Sequence, residues 1–284
     1  MHTSPLHPDF GVEIHDMDLT TVTRENDYGE IRQAFEEHSL LLFRNQSMDD
    51  DAILRLGRCF GEVENRKDGP VKVSRVSNVQ PDGTVLEPDA LGLKDLKANM
   101  LWHTDSTFLP VPALANIITA RVVPSEGGAT ELVSTRAGFQ RLPDDLKTVA
   151  RAARLRHRLT HSRAKVDPDL AREAHITKWD ETCWPAVWVN PVTGEEALYI
   201  ASHACGVEGM GDIAGQALID ELTARMVPDE AIYAHHWQVG DVLIWDERAT
   251  LHRGMPWPYE QARELASICV TAADADGLDR MRAA

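Results

Sequence analysis

Residues 240–254 read GDVLIWDERATLHRG and contain a turn, a strand and a histidine in close succession. Gly240-Asp241 is typical of a turn, and the apolar residues 242–245 after it predict a buried β-strand. A polar stretch then interrupts the apolar run, and His252 follows a second short run just before a glycine. A histidine in this position is either an ordinary core residue or a ligand, and other parts of the chain must decide between the two.

Short strands predominate on either side of this stretch, while helices cluster in the first third of the chain and in two insertions. Because strands do not alternate regularly with helices, a doubly wound parallel sheet is disfavoured, and a mainly β structure of two sheets decorated with helices is predicted. No repeat or linker divides the chain, so residues 1–284 are predicted to form a single domain. The predicted strands are 40–43, 71–79, 115–123, 130–133, 187–189, 198–200, 242–245 and 265–271, and the predicted helices are 27–39, 49–60, 137–156 with an interruption at Pro143, and 213–226.

Two polar stretches, residues 92–101 and 160–184, carry no predicted regular element, and the second is a candidate lid over a site. A passive surface excursion is the alternative for that second stretch.

Composition excludes several classes of protein. The chain has 284 residues, of which 43% are hydrophobic and 26% charged, as in an ordinary globular domain. Its net charge of −16 argues against a nucleic-acid partner, which requires an excess of basic residues. Neither a membrane-spanning apolar run nor a secretory leader is evident, so no membrane association and a cytoplasmic location are expected. The four cysteines have no CxxC spacing and are predicted to be free thiols.

A His-x-Asp pair at His103 and Asp105 is the first candidate for chemistry. In an extended strand, residues two apart project from the same face, so an imidazole and a carboxylate converge there. A second histidine from elsewhere would complete a set of two nitrogens and one oxygen that suits Fe(II) and leaves open coordination positions. The spacing alone is a weak signal, because it also occurs at His7-Pro8-Asp9, where the proline disfavours a central strand.

Arg263 lies eleven residues after His252, just before the predicted strand 265–271. A guanidinium at the start of a strand can hold a dicarboxylate end-on through two parallel hydrogen bonds. A surface arginine is the ordinary alternative for this position.

These residues fall within motifs that resemble the Fe(II)/2-oxoglutarate dioxygenases of the taurine and chlorophenoxyacetate group. The resemblance runs in register from about Leu40 to Thr271, and LYIASHA at 198–204 is more similar to the aryloxyalkanoate members than to the taurine members. The motifs are NMLWHTDSTF at 99–108, PSEGGATE at 124–131, GDVLIWD at 240–246 and LHRG at 251–254 with Arg263 beyond it.

The resemblance implies a double-stranded β-helix, a jelly-roll variant, and an enzyme that uses Fe(II), 2-oxoglutarate and O2 and releases succinate and CO2. It implies that the small acid hydroxylated is an aryloxyalkanoate, with ether cleavage to a phenol and a keto or glyoxylate-type acid. The site residues that it implies are His103, Asp105 and His252 for the metal, Thr130 and Arg263 for the distal carboxylate of 2-oxoglutarate, Asn99 beside the co-substrate, and Trp245 as a wall of the pocket.

One position departs from the family pattern. Several members carry a second arginine four residues after the position of Arg263, near the substrate anion, and here that residue is Ser267. Either another cation then binds the substrate anion, or the anion lies elsewhere in the site. A lysine that chlorophenoxyacetate enzymes place in the first hairpin aligns here with Thr84. The candidate cations are Lys67, Lys72, Arg75 and His203, each of which is otherwise an ordinary surface residue.

Other functions remain open at this stage. The same chemistry would serve a sulfonate, an alkyl sulfate or an N-acyl amino acid. A zinc hydrolase is disfavoured because no general-base glutamate is spaced as in HExxH. A non-catalytic β-sandwich module would not need the full set of metal and co-substrate residues. The only partners expected are a small anionic substrate and further copies of the chain in a homo-oligomer.

Overall fold

The computed structural model describes residues 1–67 and 69–283. Their strands are β1 His2–Pro5, β2 Val12–His15, β3 Leu40–Phe43, β4 Ser74–Ser77, β5 Ala113–Val122, β6 Thr130–Ser134, β7 Arg154–His157, β8 Thr182–Pro185, β9 Val187–Val189, β10 Glu196–Leu198, β11 Ala204–Val207, β12 Tyr233–His235, β13 Val242–Asp246, β14 Thr250–Gly254 and β15 Glu264–Thr271. The helices are α1 Tyr28–His38, α2 Asp50–Phe60, α3 Leu91–Ala98, α4 Thr135–Arg141, α5 Asp144–Ala152, α6 Leu159–Ala164, α7 Ala174–Thr177, α8 Asp212–Met226 and α9 Leu278–Ala283.

A seven-stranded sheet in the order β1-β2-β3-β13-β5-β15-β4 forms the frame of the molecule. Its pairings are antiparallel except for β2 with β3. A three-stranded sheet, β12-β6-β14, lies over it, and two smaller sheets, β11-β7-β8 and β10-β9, complete the β structure. The prediction of β-sheets decorated with helices is confirmed, but the described strands form four sheets and not two.

The large sheet is buried on both faces. In β3, Leu41 and Phe43 pack with residues of α1 and α2 on one face. Leu40 and Leu42 point the other way and share a buried cluster with Trp245 of β13 and Leu132 of β6. This alternation explains why β3 is apolar at every position. The space between the large sheet and the β12-β6-β14 sheet therefore holds the part of the core nearest to the candidate site.

Most predicted elements agree with the structure to within two residues at each end. These are the helices at 27–39, 49–60 and 213–226 and the strands at 40–43, 115–123, 130–133, 187–189, 242–245 and 265–271. The four cysteines are free thiols, as predicted. Among the described residues, no helix combines the length and the apolar composition needed to cross a bilayer.

The prediction that two polar stretches carry no regular element was wrong. Residues 92–101 contain most of α3, which places Leu93 in the core and joins α6 through the Asp95–Arg163 ion pair at 2.8 Å. Residues 160–184 contain most of α6, all of α7 and the start of β8. Ile176 and Trp179 anchor this segment in a small buried cluster with Phe108 and Leu159.

Three predicted boundaries also need correction. The helix predicted over 137–156 is two helices, α4 and α5, and residues 154–157 form the strand β7. β7 lies between β11 and β8, and every second side chain along it is buried. The strand predicted over 71–79 is limited to β4, because it lies at the sheet edge and pairs with β15 alone. The strand predicted at 198–200 shares only Leu198 with the observed strand β10, which ends at that residue.

A buried ion cluster ties β13 to α1. The side chains of Arg248, Asp246 and Glu36 are at most 4% exposed, and the Arg248 guanidinium donates to Asp246 at 2.9 Å and to Glu36 at 2.7 Å. Removing the cation leaves buried carboxylates without their main partner.

We expect Arg248→Met to lower the free energy of unfolding by about 3–5 kcal/mol, because breaking a buried pair leaves uncompensated charge. Urea unfolding followed by circular dichroism measures this change. The exposed pair Arg172–Asp169 supplies the matched control, and Arg172→Met should change stability by less than about 1 kcal/mol. Equal effects of the two substitutions would contradict the assignment of a stabilising cluster.

Candidate active site

The ligand atoms of His103, Asp105 and His252 lie within 4.8 Å of one another. The Nε2 atom of His252 is 3.8 Å from Oδ2 of Asp105, and Nε2 of His103 is 3.9 Å from Oδ1 of the same carboxylate. The three residues singled out from two distant parts of the sequence thus converge on one point. Two imidazole nitrogens and one carboxylate on one side of an ion, with further positions open, are typical of non-haem Fe(II) sites.

Backbone pairing positions the two histidines. The N–H of His103 donates to the carbonyl of His252 at 3.0 Å, and the N–H of His252 donates back at 2.9 Å. His103 lies in this isolated bridge rather than in a continuous strand, and the chain turns directly after Asp105, since Ser106 has a φ of 61°. The side chains converge because of this bridge and turn, and not because of an extended strand as the spacing suggested.

Burial keeps both histidines neutral. It lowers the pKa of His103 and lowers that of His252 to about 3. The Nδ1 atom of His103 bonds the carbonyl of Leu101 at 2.7 Å, which fixes Nδ1 as the protonated nitrogen and leaves the Nε2 lone pair facing Asp105. Neutral imidazoles with a fixed tautomer fit a metal ion, which binds the unprotonated nitrogen.

Asp105 remains an anion. Burial favours its neutral form, but positive charge on the neighbouring histidines when they are protonated, and at neutral pH the Arg66 guanidinium and the Asn116 amide, hold the pKa of its carboxyl below the ordinary value. The set therefore combines two neutral nitrogen donors and one negative oxygen donor at neutral pH, and these residues fit Fe(II).

Asn116 orients the Asp105 carboxylate. Its Nδ2 donates to Oδ2 of Asp105 at 2.7 Å, and its Oδ1 accepts the hydroxyl of Ser267 at 2.8 Å. The Ser267 hydroxyl thereby fixes which end of the amide faces Asp105. β5 and β15 pair with Asn116 opposite Cys269, which places all these side chains together. No local pattern in the sequence points to Asn116.

We expect Asn116→Leu to weaken metal binding by about 10- to 100-fold, because groups that orient a ligand have effects of this size. Ser267→Ala, which removes only the hydrogen bond to the amide, should have a smaller effect in the same direction. Titration of each apoprotein with Mn(II) or Fe(II) measures the affinity.

The matched control is Asn190→Leu, because the Asn190 amide also donates to a buried carboxylate, Glu36, at 2.7 Å, but outside the site. This variant should lose stability and retain its metal affinity. Equal metal affinities in the Asn116 and Asn190 variants would contradict an orienting role for Asn116.

Glu247 is a second residue that the sequence did not reveal. It is fully buried, and its carboxyl accepts the Asp105 backbone N–H at 2.9 Å and the Trp245 indole N–H at 2.7 Å. Burial, and then the proximity of Asp105, raise the pKa of Glu247 well above its usual range. Glu247 therefore fixes the turn after His103 without adding a second negative charge beside the metal ligands.

A cavity of about 760 Å³ opens onto the three ligands. Asn99, Thr130, Arg263 and Trp245 also line it. Trp245 is 1% exposed, and its ring centroid lies 4.7 Å from that of His252, so it is both a core residue and a wall of the cavity. Pairing of β14 with β6 places Thr130 opposite Gly254, two residues beyond His252.

Arg263 presents a buried cation to this cavity. It is 3% exposed, and its Nη2 donates to the carbonyl of Gly128 at 3.0 Å. Burial lowers its pKa to about 10, so it stays charged at neutral pH. No carboxylate among residues 1–67 and 69–283 forms an ion pair with it. A buried charge of this kind requires a counter-ion, and an anionic ligand in the cavity would provide one.

Gly128 allows the arginine to lie this close. Its φ is +67°, and a Cβ atom at this position would be 3.0 Å from Nε of Arg263. The glycine pair in the 124–131 motif therefore shapes the turn on which the guanidinium rests. Thr130 has its hydroxyl oxygen bonded to the Trp237 indole N–H at 3.0 Å, which leaves its own hydrogen free for a ligand.

The candidate substrate cations differ in their exposure, their ion pairs and whether they line the cavity. Lys72 is exposed at the cavity. Arg75 is at the cavity edge but pairs with Asp50 at 2.8 Å. His203 is 2% exposed and is not among the residues that line the cavity. Burial holds its pKa well below the ordinary value, so the expectation that it supplies a cation is wrong.

Two arginines that the sequence analysis did not select also line the cavity, Arg66 and Arg163. Arg163 is in α6 and pairs with Asp95, and Arg66 is in the loop before β4. Both lie among other charged residues in the sequence, where nothing distinguishes them from surface residues.

A family model, taurine catabolism dioxygenase TauD, TfdA family, matches residues 2–269. An alpha-ketoglutarate-dependent 2,4-dichlorophenoxyacetate dioxygenase of Cupriavidus pinatubonensis is 34% identical, over 92% of this chain and 94% of the relative. An (S)-phenoxypropionate/alpha-ketoglutarate-dioxygenase of Sphingobium herbicidovorans is 31% identical, over 92% and 91%.

A third relative is named for a different class of substrate. This alpha-ketoglutarate-dependent sulfate ester dioxygenase of Pseudomonas putida is 30% identical, over 84% of this chain and 76% of the relative. Among solved structures, AAD-2 in complex with Mn(II) and N-oxalylglycine superposes with a TM-score of 0.89 and 27% identity, over 96% of this chain and 98% of the other. The chain thus resembles enzymes that are named for dependence on alpha-ketoglutarate and that differ in the acid or ester they are named for, and its fold resembles that of AAD-2.

Proposed function

The chain belongs to the TauD/TfdA dioxygenase family, and we propose that it acts within that family on an aryloxyalkanoate. It is a non-haem iron dioxygenase that depends on 2-oxoglutarate and O2. The observation that carries the proposal is the 34% identity, over almost the whole of both chains, to an enzyme named for 2,4-dichlorophenoxyacetate. The His103, Asp105 and His252 cluster at the base of a cavity supports it.

In this proposal His103, Asp105 and His252 hold the iron, and Arg263 with the Thr130 hydroxyl holds the distal carboxylate of 2-oxoglutarate. Bound Fe(II), with 2-oxoglutarate and O2, supplies the oxidising chemistry and yields succinate and CO2. Arg263 orients the keto acid before chemistry, since a guanidinium grips a carboxylate in a fixed geometry. Asn99 and Trp245 line the space beside it and restrict the access of water.

The proposed substrate reaction is hydroxylation of the carbon that carries the ether oxygen. The product is a hemiacetal, which collapses to a phenol and a keto or glyoxylate-type acid. The walls of the cavity include apolar residues such as Leu96, Met100 and Ile118, which suit an aromatic ring.

The proposal retains four further expectations. The sheet pair around the cavity belongs to a jelly-roll core, supported by the superposition on AAD-2. Residues 1–284 act as a single dioxygenase domain, the protein is cytoplasmic, supported by its free thiols, and identical copies assemble into an oligomer. The same chemistry on another small anion is the second candidate, favoured by the similarity to a sulfate ester dioxygenase.

The experiment supplies protein, Fe(II), ascorbate, 2-oxoglutarate and air, and quantifies succinate with and without each acid of a panel. The panel contains aryloxyacetates, both enantiomers of aryloxypropionates, taurine, an alkyl sulfate and N-succinyl amino acids. We expect an aryloxyalkanoate to stimulate succinate formation and to release an equal amount of phenol. Stimulation by an alkyl sulfate alone would contradict the aryloxyalkanoate and favour the second candidate.

A further inference from the structure

The family pattern would place a cation for the substrate anion at residue 267, and this chain has none there. Residue 267 is a serine whose hydroxyl is already bonded to Asn116 at 2.8 Å. His203 is buried and does not line the cavity, and Arg75 is paired with Asp50 and, at 3.5 Å, with Glu264. The remaining cations that line the cavity differ in how rigidly they are held and are Arg66, Lys67, Lys72 and Arg163.

Arg66 is held on several sides. Its Nε donates to the Glu64 carboxylate, and its Nη2 donates to the Ser106 hydroxyl at 2.8 Å. The Ser106 hydroxyl donates in turn to Glu64 at 2.6 Å, which closes a ring of three hydrogen bonds. The guanidinium also lies over the Phe108 ring, 5.5 Å from its centroid. A long side chain fixed in this way loses little further conformational freedom when it binds a ligand.

The Arg66 guanidinium lies next to the residues proposed to hold the metal. Ser106 directly follows the ligand Asp105, so the bond from Arg66 to Ser106 brings the guanidinium beside the ligand set. Cys269, which contacts Asp105 at 3.6 Å and lies two residues after Ser267 on β15, also lines the cavity. Arg66 is linked to the Asp105 region through Ser106, and residue 267 is linked to Asp105 through Asn116, but only Arg66 brings positive charge there.

Part of the guanidinium is still free. Arginine has five N–H donors, of which Glu64 and Ser106 each take one, and Nη1 has no hydrogen-bond partner among the described residues. The side chain is 39% exposed and lines the cavity. A carboxylate arriving from the cavity can accept from Nη1 and from the second hydrogen of Nη2, which is the geometry of a bidentate pair.

The other cations are less suited. Arg163 is 13% exposed and commits its Nε to Asp95 at 2.8 Å. Lys67 and Lys72 are exposed at the cavity and have flexible ammonium groups with no ion pair among the described residues. In a protein of net charge −16, they can attract an anion to the cavity, but they do not fix its orientation.

We infer that Arg66 is the residue that binds the carboxylate of the substrate, held ready by Glu64, Ser106 and Phe108. This inference rests on the proposed function for the identity of the acid. It assigns specificity for anionic substrates to a loop residue instead of to the strand that carries Arg263.

The test compares an acid with its uncharged carboxamide. 4-Chlorophenoxyacetate and 4-chlorophenoxyacetamide are titrated by calorimetry into protein loaded with Mn(II) and N-oxalylglycine, so that no turnover is needed. We expect Arg66→Gln to weaken binding of the acid by about 30- to 1000-fold, as for a lost partner of a charge pair, and to change binding of the amide only a few-fold. Arg66→Lys should retain part of the preference for the acid.

Arg151→Gln is the matched control, because Arg151 also pairs with a glutamate, Glu196, and lies over a phenylalanine, Phe139, but not at the cavity. It should bind both compounds as the wild type does. The inference is overturned if Arg66→Gln weakens acid and amide equally, as a purely structural role would, or weakens neither, and also if the wild type does not bind the acid. Binding of the acid to the wild type without release of phenol in the presence of Fe(II) and O2 would contradict the proposed function alone.

Discussion

His252→Ala is expected to reduce substrate-dependent succinate formation to the background seen without added Fe(II). The substitution removes one of two nitrogen donors from a three-residue site, and its ligand atom lies 3.8 Å from the carboxylate of Asp105. Metal affinity should fall by more than the roughly 10- to 100-fold effect of residues that merely orient a ligand. The measurements are metal content after dialysis and succinate yield at saturating Fe(II).

The control for this prediction is His236→Ala, at an exposed histidine on the loop after β12. This variant should retain metal and turnover. Circular dichroism of both variants reports whether they are folded. A folded His252→Ala protein with wild-type turnover would show that another residue completes the metal site.

Arg263→Leu is expected to raise the dissociation constant of 2-oxoglutarate by about 30- to 4000-fold, equivalent to about 2–5 kcal/mol for truncating one partner of a buried charge pair. Arg263 is a buried cation with no ion-pair partner among the described residues, and it faces the cavity beside the metal ligands. Because its pKa of about 10 keeps it charged, the effect should persist across neutral pH. Anaerobic titration with 2-oxoglutarate in the presence of Mn(II) measures the constant.

Two comparisons separate this effect from a general loss of structure. Arg44→Leu removes a partly exposed arginine that pairs with Asp241 at 2.6 Å, away from the cavity, and should leave the dissociation constant unchanged. Metal binding by Arg263→Leu should also remain close to that of the wild type. If 2-oxoglutarate binds Arg263→Leu as tightly as the wild type, its distal carboxylate is held by another group.

The three residues of the metal cluster could be predicted from the sequence, but the residues that surround and orient them could not. His103 and Asp105 are close in sequence, and His252 lies next to a strong strand signal, so residue types and motif order were enough to select them. Asn116 and Glu247 act through contacts with residues that are distant in sequence, such as the bond from Asn116 to Ser267 across 151 positions. Such contacts depend on strand register, which a single sequence does not encode locally.

The errors in the predicted secondary structure also arise where contacts between residues distant in sequence decide the outcome. β3 and β13 are continuous apolar strands, and their prediction was confirmed because burial on both faces leaves one pattern possible. The segment that contains α6 and α7 is polar overall, and only a few apolar residues anchor it to Phe108 and its neighbours. Its order depends on tertiary contacts and ion pairs with α3, which overrode weak local propensity.

A crystal structure of this protein, grown anaerobically with Mn(II) and N-oxalylglycine, tests the site most directly. The expected result is one metal ion bound by Nε2 of His103, Nε2 of His252 and the carboxylate of Asp105. The analogue should chelate that ion and place its distal carboxylate on the Arg263 guanidinium and the Thr130 hydroxyl. A metal ion bound elsewhere, or an analogue whose distal carboxylate points away from Arg263, would contradict the account.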